Sequence, residues 1–324
     1  MAGGQERILR RRIRSVQSTK KITRAMELIA ASRIVRAQQA IAAARPYVEK
    51  MAEVVGHLAD TPDGRQHPLF REPQQTRRAA VIVIAGDRGL SGAYNSSVLR
   101  AAERRIQELE AIGADVALVA VGRKVSSHFR YRGRRPASAF TGIADRPVPD
   151  DAKAVADVVM GSYAAGELDR IDVIYTHFES VGRQAVTSRM LVPIEAQRSE
   201  AGTGRDASAG LHADRSAARF VDYEYEPGPA ELLDLLLPSW LQGEILAAML
   251  SASASEYVAR QRAMKAATDN AEDLITTLTR VMNRARQDAI TTEIMEIVGG
   301  AEALRADSDD SGTSIETYED PDAA

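Results

Sequence analysis

The chain has 324 residues, of which 44% are hydrophobic, 27% are charged and only 5% are aromatic. This composition suits a compact domain combined with long helices better than an all-β fold. There is no cysteine, which excludes disulfide bonds, thiolate metal sites and a thiol nucleophile. The net charge of −3 implies no partner by itself. The sequence contains no run of about 18 apolar residues, so we expect no membrane-spanning helix.

The beginning of the chain, residues 1–60, carries the pattern of one long helix. Residues 5–45 contain neither Gly nor Pro, and mostly apolar positions recur at alternating intervals of three and four. These positions are Leu9, Ile13, Val16, Lys20, Thr23, Glu27, Ala30, Ile34, Ala37, Ile41, Ala44, Val48, Met51, Val55 and Leu58. This heptad pattern predicts a coiled-coil seam, with polar residues at its centre: Lys20, Thr23 and Glu27. We expect this polar stretch to contact partners rather than only the chain itself. Pro46 predicts a kink in the helix.

The middle of the chain alternates between strand and helix patterns and predicts an α/β domain over residues 75–229. Short apolar runs indicate three buried parallel strands, and a fourth strand is expected at an antiparallel edge. Polar and small residues indicate a solvent-exposed loop at 199–218. The predicted strands are 79–85, 115–121, 171–178 and 183–193, and the predicted helices are 94–112, 122–131 and 150–168.

A second long helix is predicted near the end of the chain, within residues 230–304. Residues 244–298 contain neither Gly nor Pro and repeat the spacing of three and four. The predicted seam residues are Leu250, Ser253, Tyr257, Arg260, Met264, Ala267, Ala271, Leu274, Leu278, Val281 and Ala285. One helix opens the chain and the other closes it, so the simplest arrangement is an antiparallel, left-handed coiled coil. A coiled-coil dimer or a generic helical bundle fits the periodicity equally well. Residues 305–324 are rich in acids and predict a disordered tail.

The glycine-rich segment at residues 86–92 is the first candidate for chemistry, because it follows a strand and precedes a helix, as phosphate-binding loops do. Its G-x-x-G-x-x-G spacing matches neither the dinucleotide nor the P-loop pattern, and no lysine follows at the P-loop position. We therefore favour a tight turn that needs glycine for positive φ. The five histidines show no metal-ligand spacing. We expect no catalytic residue, no cofactor, no metal and no nucleic-acid partner.

Several segments of the sequence resemble the gamma subunits of F-type, proton-translocating ATP synthases. The N-terminal run IRSVQSTKKITRAME at 13–27 and the C-terminal runs AMKAATDNA at 263–271 and ITTEIMEIV at 290–298 are similar to the family's terminal helices. The segment DRGLSG at 87–92 matches the family's DRGL-x-G turn, and YEYEP at 223–227 precedes the last helix as it does in the family. The resemblance spans roughly residues 3–300.

This resemblance implies a central rotor stalk that is not itself a catalyst. It implies a coiled coil inside a ring of alpha and beta subunits, and an α/β foot that binds the epsilon subunit and the membrane c ring. Proton flow would turn the rotor, which would drive ATP synthesis on beta and regulate ATPase activity, at the cytoplasmic face of the membrane and without membrane insertion. The implied contacts with the alpha–beta ring are Met26, Arg260, Gln287 and Thr291, and those with the c ring are Tyr223 and Glu226.

Two other functions stay open from the residues alone. One is a free-standing coiled-coil scaffold that carries an α/β module. The other is a Rossmann-like nucleotide-binding protein.

Overall fold

The computed structural model of the protein describes residues 2–62, 64, 67, 70, 75–194 and 225–310. The predicted loop 199–218 and tail residues 311–324 lie outside this part of the chain. The chain divides into two compact units, Met1–Ala25 with Lys265–Ala324, and Met26–Met264. The elements are α1 (Ala2–Ala59), β1 (Arg78–Ile84), α2 (Tyr94–Ala111), β2 (Asp115–Val121), α3 (Arg123–Tyr131), β3 (Ser138–Phe140), α4 (Pro149–Ala164), β4 (Arg170–Phe178), β5 (Gln184–Val192) and α5 (Pro229–Asp310).

The larger unit, Met26–Met264, contains a five-stranded sheet in the order β3-β2-β1-β4-β5. The first four strands of that order are parallel, and β5 pairs with β4 in the antiparallel direction. The predicted parallel strands and antiparallel edge strand are therefore confirmed. The sequence missed β3, because a strand of three residues is too short to show a period.

The central strands of the sheet, β2, β1 and β4, are buried on both faces. Alternate residues of β1 face opposite sides: Ala79, Val81 and Val83 pack against α2 and α3, whereas Ala80, Ile82 and Ile84 pack against α4, α5 and the end of α1. Burial on both faces explains why the strands are continuous apolar runs without polar alternation. The part of α5 that belongs to this unit packs a long apolar surface into the core. This surface includes Leu233, Leu237, Leu241, Ile245 and Met249.

The smaller unit holds the first part of α1 and the last part of α5, which lie antiparallel. Thr23 and Thr268 share a hydrogen bond of 2.8 Å between their hydroxyl oxygens. Lys20 Nζ lies 3.1 Å from Glu272 Oε1. Lys20 and Thr23 thus each have a polar partner across this helix pair, and the expected contact of this stretch with partners stays a prediction.

The helices also depart from the prediction in length and register. α5 begins at Pro229, contains Pro238 and continues through Gly299 and Gly300 to Asp310, so the first six residues of the predicted disordered tail, 305–310, are helical. Ala271 and Leu278 are buried, as the predicted seam requires. The predicted seam residues Leu274 and Val281 are 40% and 45% exposed, and Thr268 is buried instead of its predicted neighbour Ala267, so the seam is displaced by one residue at these three positions. Pro46 lies inside α1.

Among the residues that the structure describes, one helix is long and apolar enough to cross a membrane by length and composition alone. It is α5, whose 18-residue window has a mean hydropathy of 1.3. However, 56% of that window is buried inside the protein, as in a core helix.

Candidate functional site

The segment at residues 86–92 connects β1 to α2, and one of its carboxylates, that of Asp87, bonds the main chain of two other segments. Asp87 Oδ1 accepts hydrogen bonds from the backbone N–H groups of Arg123, at the start of α3, and of Gly142, at 2.9 and 3.0 Å. The Ala144 N–H donates to Asp87 Oδ2 at 3.3 Å. A buried carboxylate therefore lies at the N-terminus of α3, a position that would otherwise attract an anion.

The glycines of this segment serve two different purposes. Gly92 adopts a positive φ of 57°, which confirms the need for glycine in a turn at that position. Gly86 has no positive φ, and glycine is needed there because of close packing. An ideal Cβ at Gly86 would lie 2.6 Å from Glu256 Oε1 of α5. The prediction of positive φ is thus wrong for Gly86, where the missing side chain leaves room for a buried carboxylate.

Glu256 is paired along α5 with Arg260, and both side chains are buried. Arg260 Nη2 donates to Glu256 Oε1 and lies 3.5 Å from the Gly89 carbonyl oxygen. Burial raises the pKa of the Glu256 carboxyl, and this effect exceeds the opposing attraction of the Arg260 guanidinium. The pair therefore ties α5 to the turn.

Tyr257 lies between two guanidinium groups. Arg33 of α1 and Arg260 of α5 have their Cζ atoms 5.4 and 5.7 Å from the centroid of its ring. Arg33 Nη1 also donates to the Tyr257 hydroxyl at 3.1 Å, and that hydroxyl donates to the Asp145 carbonyl at 2.9 Å. The Asp145 carboxylate lies 3.8 Å from Arg33 and 3.6 Å from Arg88. The result is a charged cluster shared by α1, α5 and the loops of the α/β domain.

The second candidate region is the end of α5 in the smaller unit, where large apolar side chains are exposed. Gln5, near the start of α1, borders an open pocket of about 240 Å³ together with α5 residues, the last of which is Thr292. Every residue from 293 to 302 is exposed. The exposed apolar side chains are Ile290 (47%), Ile294 (54%), Met295 (68%), Ile297 (67%) and Val298 (53%).

Comparison with known proteins assigns the chain to a family. A family model described as "ATP synthase" matches residues 5–304. The chain is 46% identical over 305 residues to the ATP synthase gamma chain of Parafrankia sp., covering 93% of this chain and 98% of the relative. The gamma chain of Frankia casuarinae is 47% identical with the same coverage. The chain belongs to the ATP synthase gamma chain family.

Solved structures share the fold of this gamma chain. A chain of the Euglena gracilis mitochondrial ATP synthase, in a structure described as OSCP/F1/c-ring, gives a TM-score of 0.60 at 16% identity and covers 98% of this chain and 99% of its own. A chain of the Tetrahymena thermophila central stalk/c-ring structure gives 0.53 at 21% identity, covering 76% and 99%. The predicted combination of a helix pair with an α/β domain is confirmed. As a gamma chain, the protein is a non-catalytic subunit of ATP synthase.

The predicted partner residues of the gamma chain differ in their exposure. Gln287 and Thr291 are exposed on α5, and Met26 is half-buried on α1. Arg260 is only 7% exposed and is bonded to Glu256, so a direct partner contact would require it to leave this pair. Glu226 is exposed just before α5, and Tyr223 lies outside the described residues. All six contacts remain predictions.

Sequence reasoning missed Glu256 and Asp145. Glu256 carried a usable signal, because an acid four residues before an arginine on a helix predicts an ion pair. Its burial gave no such signal, since the carboxylate is enclosed by a turn far away in the sequence. Asp145 lies in a loop with no recognisable pattern, and only the fold brings it to Arg33 and Arg88.

Proposed function

We propose that this gamma chain is the central rotor stalk of an ATP synthase, coupling proton flow through a membrane c ring to ATP synthesis on beta subunits and regulating their ATPase activity. Family membership supports the proposal, as does the combination of an antiparallel helix pair with an α/β domain. The structural neighbours are a central stalk/c-ring from Tetrahymena thermophila and a rotor from Euglena gracilis.

The observation that carries the proposal is the exposed apolar end of α5. Five large apolar side chains between Ile290 and Val298 are each about half exposed or more. A contiguous apolar surface of this kind marks a protein contact in a water-exposed helix. A ring of alpha and beta subunits that encloses the end of α5 would cover it.

The finer assignments follow the family's pattern. Met26, Arg260, Gln287 and Thr291 would contact the alpha–beta ring. Tyr223 and Glu226 would face the c ring, and the α/β domain would also bind the epsilon subunit. The protein would then lie at the cytoplasmic face of the cell membrane as a peripheral subunit.

Co-purification with alpha and beta subunits from the same source tests the proposal. The parent chain should form a stable complex of defined stoichiometry with ATPase activity. Replacing Ile294 and Ile297 by Asp should abolish that complex, because it places two charges on the apolar surface, while the isolated chain keeps its helix content. The control is Ile112→Asp with Tyr131→Asp, which charges two exposed positions (59% and 91%) in the α/β domain and should leave alpha–beta binding unchanged.

A chain that purifies alone would instead support the free-standing scaffold. Equal binding of alpha and beta by the Ile294/Ile297 variant and the parent would remove the argument from the apolar end of α5.

A further inference from the structure

Within the larger unit, α5 is enclosed on all sides from Ser251 to Val258, where every residue is buried. The serines in this stretch bond the main chain of the α/β domain. The Phe178 N–H donates to Ser251 Oγ (2.7 Å), Ser253 Oγ donates to the Asp145 carbonyl (2.9 Å) and Ser255 Oγ donates to the Thr176 carbonyl (3.1 Å).

These hydrogen bonds contact α5 on two opposite sides. At about 100° per residue, Ser251 and Ser255 lie on one side of α5, and Ser253 lies on roughly the opposite side. Ser251 and Ser255 bond the end of β4, and Ser253 bonds the loop before α4. Tyr257 repeats the Ser253 bond one turn later, since its hydroxyl donates to the same Asp145 carbonyl at 2.9 Å.

A further bond reaches α5 from α2, since the Tyr94 hydroxyl donates to the Ala252 carbonyl at 3.0 Å. Tyr94 is buried, and burial raises the pKa of its phenol well above the ordinary value, so it stays a donor. The Tyr94 side chain of α2 and main-chain groups of β4 and of the loop before α4 therefore converge on about two turns of α5.

The preceding part of α5 is held differently. From Leu233 to Met249 its buried contacts with the sheet are mostly apolar. Polar contacts there are fewer: Glu244 pairs with Arg189 of β5, and the Gln242 amide donates to the Pro149 carbonyl at 3.2 Å. Apolar burial is non-directional and depends on area, so it keeps a helix on a sheet but opposes a small rotation about the helix axis only weakly. Hydrogen bonds weaken steeply when their angle departs from linearity, so bonds on opposite sides of a helix oppose that rotation directly.

We propose that Ser251, Ser253, Ser255 and Tyr257, here called the polar joint, fix the rotation of α5 within the α/β domain, so that torque passes between the two at this place. The inference rests on the proposed rotor function and adds the residues that transmit the load. These are positioning residues: they act through the orientation of α5 and contact no reacting group.

The test uses the complete ATP synthase complex with Ser251→Ala, Ser253→Ala and Ser255→Ala combined. Alanine favours the helix more than serine does, so α5 itself is preserved. We expect normal subunit stoichiometry and near-normal ATP hydrolysis, with a several-fold loss of protons pumped per ATP hydrolysed and of ATP synthesis. The matched control is Ser96→Ala with Thr187→Ala, hydroxyls that bond carbonyls three and two residues away, and it should couple like the parent.

A destabilised fold would lower the yield of complex, whereas a loosened joint lowers the coupling ratio of the complex that assembles. If the triple variant fails to assemble, Tyr257→Phe, which loses only a hydroxyl, carries the test: a lowered coupling ratio supports the joint. A coupling ratio equal to the parent's in an assembled triple or Tyr257→Phe variant overturns the inference and leaves the rotor function intact. Failure of the parent chain to assemble with alpha and beta overturns the rotor function itself.

Discussion

At the scale of single residues, the most informative position is one without a side chain. Gly86 leaves the space that the Glu256 carboxylate fills, and its own N–H donates to Asn95 Oδ1 at 2.9 Å. The sequence could predict a turn here, because glycines follow an apolar strand. It could not predict why Gly86 is a glycine, since the group that demands it lies 170 residues away.

Gly86→Ala should destabilise the protein by roughly 1–3 kcal/mol, because the new methyl group would overlap the buried Glu256 carboxylate and disturb its pairing with Arg260. Urea unfolding followed by circular dichroism measures the change. Gly161→Ala in α4 is the control: nothing lies within 4 Å of its Cβ position, and a helical alanine should stabilise by about 0.5–1 kcal/mol. Equal stability of the Gly86→Ala variant and the parent would contradict this packing.

Glu256 should also make stability depend on pH. Because burial raises its pKa above the ordinary value of 4.5, the folded protein binds more protons at Glu256 than the unfolded chain does between these two values. Relative to Glu256→Gln, the parent should therefore lose stability as the pH rises from about 4.5 through the folded pKa. Unfolding of both proteins in urea across this range gives the difference. A parent that gains stability over the variant with rising pH would show that Arg260 lowers the pKa instead.

At the scale of elements, the seam of α1 was predictable almost residue by residue. Ile13, Ala30 and Ile34 are buried as the heptad pattern indicates, because one helix face must meet the same partner along its whole length. The seam of α5 was less predictable. Several small and apolar residues lie side by side there, so Ala267 and Thr268, or Leu274 and Ile275, satisfy the pattern about equally, and only packing decides between them.

Ala271→Pro should cost about 3 kcal/mol or more, because it removes a hydrogen bond from the interior of α5 and clashes with the preceding turn. Ala271 is 7% exposed, so the helix pair of the smaller unit should also open around it. Helix content, thermal unfolding and assembly with alpha and beta are the measurements. Ala230→Pro, at the second residue of α5, should be tolerated, since a first-turn N–H has no partner within the helix. Normal assembly and unfolding of Ala271→Pro would show that α5 does not need to be continuous there.

At the scale of the whole molecule, the fold could be predicted further than the sites could. Buried strands and seams are dictated by the chain's own burial of apolar groups, which leaves a continuous apolar run for a strand and a period for a seam. Partner contacts leave no such period. Arg260 illustrates the difference: family resemblance directs it to a partner, yet in the chain by itself its guanidinium pairs with Glu256. Exposure therefore separates Gln287 and Thr291, which are free to meet a partner as they stand, from Arg260, which is not.

The double variant Gln287→Ala, Thr291→Ala should turn over several-fold more slowly than the parent in the assembled complex. Both side chains are exposed on one side of α5, one turn apart, next to the apolar end that begins at Ile290. Each neutral hydrogen bond to a partner contributes only about 0.5–1.5 kcal/mol. Losing two should therefore slow the catalytic steps in which these bonds form again, but it should not dissociate a large interface. Rates of ATP synthesis and hydrolysis are measured beside subunit stoichiometry. Ser96→Ala with Gln107→Ala, exposed on α2, is the control and should match the parent. Parent-like rates in the double variant would mean that Gln287 and Thr291 are only solvated helix surface.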